Sequence, residues 1–449
     1  MKKYVKHLST THIVLLGFLA VILAGSLLLW LPISSATGKS VPYIDALFTS
    51  TTATCVTGLV TLPTVTTWSI FGQVIILLLI QIGGLGVITI ATGILVMLGK
   101  KISIGNRILI QDSFNLNSMA GMVKFIKKVI IGTFVIEGIG ALLYMTVFIP
   151  DFGVKGIWIS VFNSVSAFCN AGIDIISENS LCDYTLNPVI NLVTSFLIIA
   201  GGIGFIVWWD LLRILKNKKQ RHLKFLTLHS KIALSVTAFL IIVGTMLFFA
   251  FEYNNPLTMQ NYSLLEKLET SFFQSVTTRT AGFATIPQEN FTNQSAFVSL
   301  LLMFVGGSPV GTAGGVKTVT LLILLVTAAS VIRNKRTANV FNRQISSKSI
   351  KKAVAVFITS VTVMIVSTLL LLIVSSGDFL DVIYETVSAT ATVGLTRNFT
   401  STLNFIGKII IIATMYFGRV GPISLAVAFG MKKENENSIK NPVEEISVG

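Results

Sequence analysis

Four glycines stand in near-identical apolar settings, in Val56-Thr57-Gly58-Leu59, Asn170-Ala171-Gly172-Ile173, Thr280-Ala281-Gly282-Phe283 and Thr392-Val393-Gly394-Leu395. The chemistry open to them is that of the backbone. Glycine accepts conformations that turn carbonyl oxygens toward a narrow axis, and a ring of carbonyls can replace the water shell of an alkali cation. Spacings of 114, 110 and 112 residues mark a fourfold internal repeat. A second glycine follows each first one by 25, 29, 24 and 24 residues, at Gly83, Gly201, Gly306 and Gly418. The small residues Thr57, Ala171, Ala281 and Val393 leave room for four chain segments to converge.

The elements that position these loops follow from composition. Hydrophobic residues make up 53% and charged residues 12% of the 449, and the mean hydropathy is +0.80. Such a chain belongs in a bilayer. Apolar runs near 12–31, 70–98, 125–149, 189–212, 231–251, 294–332, 353–375 and 405–430 predict two crossings per repeat. Between them lie shorter stretches near 42–59, 158–173, 266–283 and 380–395, each ending in a glycine motif. A half-length segment flanked by two crossings reads as a re-entrant helix and loop, tolerated at membrane depth only where it lines water or is buried in protein. The expected fold is an all-α membrane protein of four units, each helix, re-entrant pore loop, helix, with eight transmembrane helices around one pore. Its divisions are pore repeats 1–100, 101–216, 217–336 and 337–430, then a cytoplasmic tail 431–449.

Charge sets the orientation. The formal net charge is +15, yet 26 of the 34 Lys and Arg lie before the first crossing, between repeats or after the last crossing. That placement argues for topology and against nucleic acid. Basic loops stay in the cytoplasm, so both termini are expected inside, in a multi-pass protein of the plasma (inner) membrane, with the motifs entering from outside. Asp45, Asp174, Glu178, Glu266, Glu269, Asp381 and Glu385 lie on the motif side, and an acidic mouth concentrates cations. Lys2, Lys3 and Lys6 before an apolar run imitate a signal peptide, but the run is too long and supplies the first crossing of repeat one. Cys55, Cys169 and Cys182 form no disulfide framework.

Two further features lie inside crossings. Gly306-Gly307-Ser308-Pro309-Val310-Gly311-Thr312-Ala313-Gly314-Gly315-Val316-Lys317 interrupts the sixth apolar run, and its glycines and proline disfavour continuous helix. Arg419, in Phe417-Gly418-Arg419-Val420-Gly421-Pro422, falls within the last crossing, where an ionisable group is costly and faces a cavity or partner. Glu137 in the third crossing is a weaker candidate, expected to pair with a neighbouring polar group.

The four units around Gly58, Gly172, Gly282 and Gly394 resemble the superfamily of potassium transporters that includes the Trk, Ktr and plant HKT proteins. In length and number of crossings the chain is most similar to the ion-translocating membrane subunit of bacterial Ktr systems. The resemblance implies potassium-selective uptake through a channel-like pore. K+ would bind backbone carbonyls of Val56, Thr57, Gly58, Asn170, Ala171, Gly172, Thr280, Ala281, Gly282, Thr392, Val393 and Gly394. It also implies that segment 306–317 is an intramembrane gate, involving Gly306, Gly307, Ser308, Pro309, Gly311, Thr312, Gly314, Gly315 and Lys317, with Arg419 beside it as a barrier. No cofactor is bound covalently. K+ is the transported ion and Na+ a candidate activator, while nucleotide acts only through a partner. The partners implied are a second copy in a homodimer and a cytosolic ring of Rossmann-type subunits. Glycine at the first motif matters because in that family serine there goes with sodium selectivity.

Two other classes compete. A sodium-coupled secondary transporter would show inverted repeats and polar side chains at the midplane, whereas these repeats run in one orientation. An intramembrane enzyme requires a nucleophile with a base, or a metal set. His7, His12, His222 and His229 have no such spacing, and Gly83-Gly84-Leu85-Gly86 and Gly201-Gly202-Ile203-Gly204 follow no strand, as a nucleotide loop would.

Overall fold

In the computed structural model, which describes residues 10–97, 122–217 and 222–421, the chain is mostly helical. Repeat one runs through α1 (Thr10–Trp30), α2 (Tyr43–Cys55), α3 (Ile70–Leu85) and α4 (Val87–Met97). Repeat two comprises α5 (Met122–Phe152), α6 (Lys155–Cys169), α7 (Pro188–Gly202) and α8 (Phe205–Lys216). In repeat three, α9 (Leu228–Glu252), α10 (Leu264–Thr277), α11 (Asn293–Phe304) and α12 (Thr318–Ile332) precede a small hairpin pairing Asn339–Val340 with Arg343–Gln344. Repeat four holds α13 (Ser347–Val374), α14 (Phe379–Ala391) and α15 (Phe405–Val420).

Local sequence explains these boundaries. The helix after each motif starts at a polar cap, where Ser69, Asn187, Thr292 or Asn404 accepts a first-turn amide. Ser263 and Glu266 form a capping box at the head of α10. The first helices, α1, α5, α9 and α13, are each long and apolar enough to cross a bilayer. Their lipid-side residues are exposed large hydrophobics, such as Leu27, Leu142, Met246 and Ile373. The helices ending in the motifs are 13, 15, 14 and 13 residues long, half-length as expected, and lie buried among the others.

Three of the expected second crossings require correction. Runs 70–98 and 189–212 are not single helices, for α4 turns 96° from α3 and α8 turns 97° from α7. Gly86 (φ 86°, ψ 135°) and Gly204 (φ 91°, ψ 141°) make the turns in a conformation that L side chains rarely adopt. In repeat four the helix stops at Gly421 with φ 91° and ψ 138°, so the expected run 405–430 ends as helix at Val420. Its continuation lies outside the described residues, as do the tail 431–449 and both chain ends.

The ring closes by one packing rule. Each second helix rests on the re-entrant helix of the next repeat: α3 on α6, α7 on α10, α11 on α14, and α15 back on α2. At that last seam Lys408 Nζ lies 2.6 Å from Asp45 Oδ1, which also accepts from Thr61 Oγ1 at 2.8 Å. Both side chains are mostly buried, and stripping one charge from such a pair leaves the other uncompensated. Lys408→Met is therefore expected to cost about 3 kcal/mol and lower the thermal transition in detergent. Combining it with Asp45→Asn should recover most of that loss; no recovery would show that the pair does not hold the seam.

Candidate functional site

The first residue of each motif lies in the left-handed region, with φ of 55° at Val56, 59° at Asn170, 69° at Thr280 and 51° at Thr392. Three of the four are β-branched, for which this conformation is strained and persists only where the surroundings enforce it. Hydrogen bonds supply the enforcement. Thr57, Ala171 and Val393 amides return to the carbonyls of Thr52, Ser166 and Ser388 at 2.8 Å, closing each helix end. The hydroxyls of those three residues then accept the next free amides, from Gly58 and Gly394 at 3.0 Å and Ile173 at 3.1 Å. Repeat three has Val276 at this place and solves the problem differently, with Thr277 Oγ1 donating to the Phe283 carbonyl at 2.6 Å. The amides are thus spent on the helix side, and the chains present carbonyls to one another.

The four glycines meet in a closed ring that follows chain order. A Cβ on Gly58 would stand 2.6 Å from the Ala171 carbonyl oxygen, and one on Gly172 would stand 2.5 Å from that of Ala281. Gly282 abuts the Val393 carbonyl in the same way, and Gly394 abuts that of Thr57. Every glycine therefore faces the residue before the next glycine, and the fourth returns to the first. The second glycines serve this assembly from behind. A side chain at Gly83, Gly201 or Gly418 would overlap the carbonyl of Thr54, Phe168 or Thr390 in the same repeat's re-entrant helix, so only glycine lets the helices close.

Gly306 is the exception, because it meets Gly314 of its own loop. Residues 305–317 form an extended excursion stitched at its base, with Gly306 N donating to Val316 O at 3.0 Å and Val316 N to Phe304 O at 3.1 Å. Its outer part is bonded across to repeat two. Ser308 N reaches Gly202 O at 2.8 Å, Thr312 N reaches Gly201 O at 3.1 Å, and Phe205 N reaches Val310 O at 2.9 Å. Pro309 lies against Gly204, and Gly311 against Gly201. Thr312 Oγ1 donates to Phe168 O and Gly314 N to Thr280 Oγ1, at 3.0 and 3.1 Å, placing the loop directly behind the glycine ring. Ser308 Oγ pairs with Thr318 Oγ1 at 2.9 Å, while Gly307 packs on Ala313 and Gly315 takes φ 63°.

Arg419 joins this loop to repeat one. Its Nη1 donates to Thr312 O and its Nη2 to Gly83 O, each at 2.6 Å. A planar fork is suited to bridging two carbonyls on separate chain segments. Lys317 turns inward on its own loop, with Nζ at 2.6 Å from Ala313 O and 3.3 Å from Gly314 O. A third cation, Arg279, directly precedes the third motif and is buried at the inner end of its re-entrant helix. Its Nη2 donates to Gly306 O at 3.2 Å and to Thr237 Oγ1 at 3.4 Å. Basic character immediately before the third motif, where repeats one and two have Cys55 and Cys169, was the available signal. Glu137 accepts from Gln81 Nε2 at 3.3 Å behind Cys169, the polar pairing expected of it.

The breaks at Gly86 and Gly204 also had a signal that sequence reasoning passed over. Gly83 and Gly86, Gly201 and Gly204, and Gly418 and Gly421 share a three-residue spacing, and at the matching place repeat three has Gly306 and Pro309. The loop of repeat three is thus an enlarged version of the break in repeats one and two.

Residues 5–441 match the family described as TrkH, cation transport protein. The whole chain is 41% identical to the potassium/sodium uptake protein NtpJ of Enterococcus hirae, covering 99% of that protein. It is 38% identical to the Ktr system potassium uptake protein B of Bacillus subtilis, over 98% of this chain and 96% of that one. Its fold is similar to the crystal structure of the potassium transporter TrkH from Vibrio parahaemolyticus, with a TM-score of 0.74 at 18% identity, covering 94% of this chain and 85% of that one.

Proposed function

Because this chain belongs to the TrkH family of cation transport proteins, and is a multi-pass membrane transporter rather than an enzyme, we propose that it takes up K+ selectively through the glycine ring. The observation that carries this reading is the closed succession of Gly58, Gly172, Gly282 and Gly394 against one another's neighbouring carbonyls. Backbone oxygens are the ligands suited to a dehydrated alkali ion, and the partly negative C-terminal ends of α2, α6, α10 and α14 favour a cation there. With the basic loops in the cytoplasm, both termini lie on the cytoplasmic side of the plasma (inner) membrane and the membrane potential drives K+ inward. The related protein from Enterococcus hirae is named for sodium as well as potassium, so Na+ is kept as a second permeant or activating ion. Growth of a strain lacking potassium uptake on limiting K+ is expected with this chain and not without it. Rb+ uptake unaffected by replacement of the ring glycines would overturn the assignment.

Segment 306–317 is the gate in this reading and Arg419 its latch, since one guanidinium holds the loop against repeat one behind the ring. The functional unit is a homodimer, controlled through a cytosolic ring of Rossmann-type subunits that bind nucleotide. Relatives named as proteins B and D of a Ktr system are in keeping with a multi-component assembly. Docking energy that differs between ring conformations would bias the gate. In liposomes the chain alone should give low flux that ignores nucleotide, and addition of its ring should make flux respond to ATP. Full nucleotide control by the isolated chain would refute this.

A further inference from the structure

Away from the ring and the gate, a cleft of about 510 Å³ opens between the start of α5 and the end of α8, lined by Lys128, Trp209, Leu212, Arg213, Lys216 and Asn217. Three cationic side chains thus converge from two helices on one hollow. Arg213 is held by Asp210 at 2.7 Å and by the Phe225 carbonyl at 3.0 Å. Among the described residues neither Lys128 nor Lys216 has an acidic partner. Lys128 Nζ stands 5.2 Å from the Trp209 ring centroid, and among the described residues the indole Nε1 of Trp209 has no hydrogen-bond partner. Gly132, one turn beyond Lys128, admits the Trp208 and Trp209 rings to contact with α5.

The surroundings indicate what kind of anion fits. Because α8 turns 97° from α7, it runs across the direction of the crossing helices, with Leu212 and Leu215 exposed beside its basic end. From Lys128 the face of α5 continues at helical spacing through Ile131, Val135, Ile139 and Leu142, exposed by 52, 54, 49 and 65%. An apolar track therefore starts directly where the cationic cleft ends. A soluble anion needs the cleft and has no use for the track, whereas an amphiphile uses both. We propose that this cleft binds the phosphate headgroup of an anionic phospholipid, whose acyl chains lie along the Ile131 to Leu142 face of α5. Cationic clefts between membrane helices are suited to such headgroups.

The test uses the full chain in phosphatidylcholine nanodiscs carrying a minor share of phosphatidylglycerol brominated on its chains. Tryptophan emission should be quenched more than by brominated phosphatidylcholine at the same share, and Trp209→Phe should remove that excess. Neutralising the pair as Lys128→Gln with Lys216→Gln should weaken the phosphatidylglycerol preference about twenty-five-fold, at about fivefold per lysine. Lys128→Arg with Lys216→Arg should keep it, separating charge from folding. Equal quenching by the two lipids, or a full preference in the Gln pair, would overturn the proposal. Loss of the excess in millimolar inorganic phosphate would assign the cleft to a soluble anion and overturn it too.

Discussion

Gly58→Ser is expected to lower the preference for Rb+ over Na+ by about tenfold, equivalent to about 1.4 kcal/mol of discrimination, while leaving an inserted protein. Gly58 has φ of 101°, where a residue with a Cβ is strained by about 1–2 kcal/mol, and the added atom would sit 2.6 Å from the Ala171 carbonyl oxygen and 3.1 Å from the Gly394 Cα. Those contacts are backbone and cannot be relieved by rotating a side chain. Either the repeat-one loop withdraws or the ring widens, and both alter the distances that distinguish K+ from the smaller Na+. Gly38→Ser is the matched control. Gly38 also has a positive φ, 69°, but nothing lies within 4 Å of the position a Cβ would take. Competitive uptake of Rb+ and Na+ by the two variants measures the difference. Equal selectivity in both would remove Gly58 from the ion path.

Arg419→Ala is expected to raise K+ flux severalfold with an unchanged Rb+ to Na+ ratio. The substitution deletes two charge-assisted hydrogen bonds of 2.6 Å, to Thr312 and to Gly83. Each is worth about 1.5–3 kcal/mol, so the closed loop should lose much of its hold on repeat one. The glycine ring keeps its own hydrogen bonds and hence its selectivity. Arg419→Lys should fall between, because an ammonium lacks the planar fork that spans two carbonyls. Deleting residues 306–315 should also open the path, but it strands the Gly201 and Gly202 carbonyls and the Phe205 amide that the loop satisfies. The point substitution is the cleaner measurement. A fall in flux from Arg419→Ala, in protein that is folded and inserted, would make the contact one of packing and not a latch.

Sequence by itself determined the membrane class, the four repeats, the half-length helices that end in the motifs and the interruption at 306–317. These depend on properties of single segments, namely apolar length, the placement of Lys and Arg, and clustered glycine and proline. Tertiary structure decided what depends on partners distant in the chain. The apolar runs 70–98 and 189–212 read as unbroken because hydropathy does not register a change of direction at one glycine. The break after Gly202 is stable since its free carbonyls are met by amides of Ser308 and Thr312, about a hundred residues away. Arg279 was marked as unusual by its place directly before the third motif, but its depth and its bond to Gly306 O are set by where α10 ends relative to the loop. That an arginine at 419 would be costly in a crossing was legible, whereas its two acceptors were not. They belong to repeats one and three, and only closure of the ring brings them within reach of one side chain.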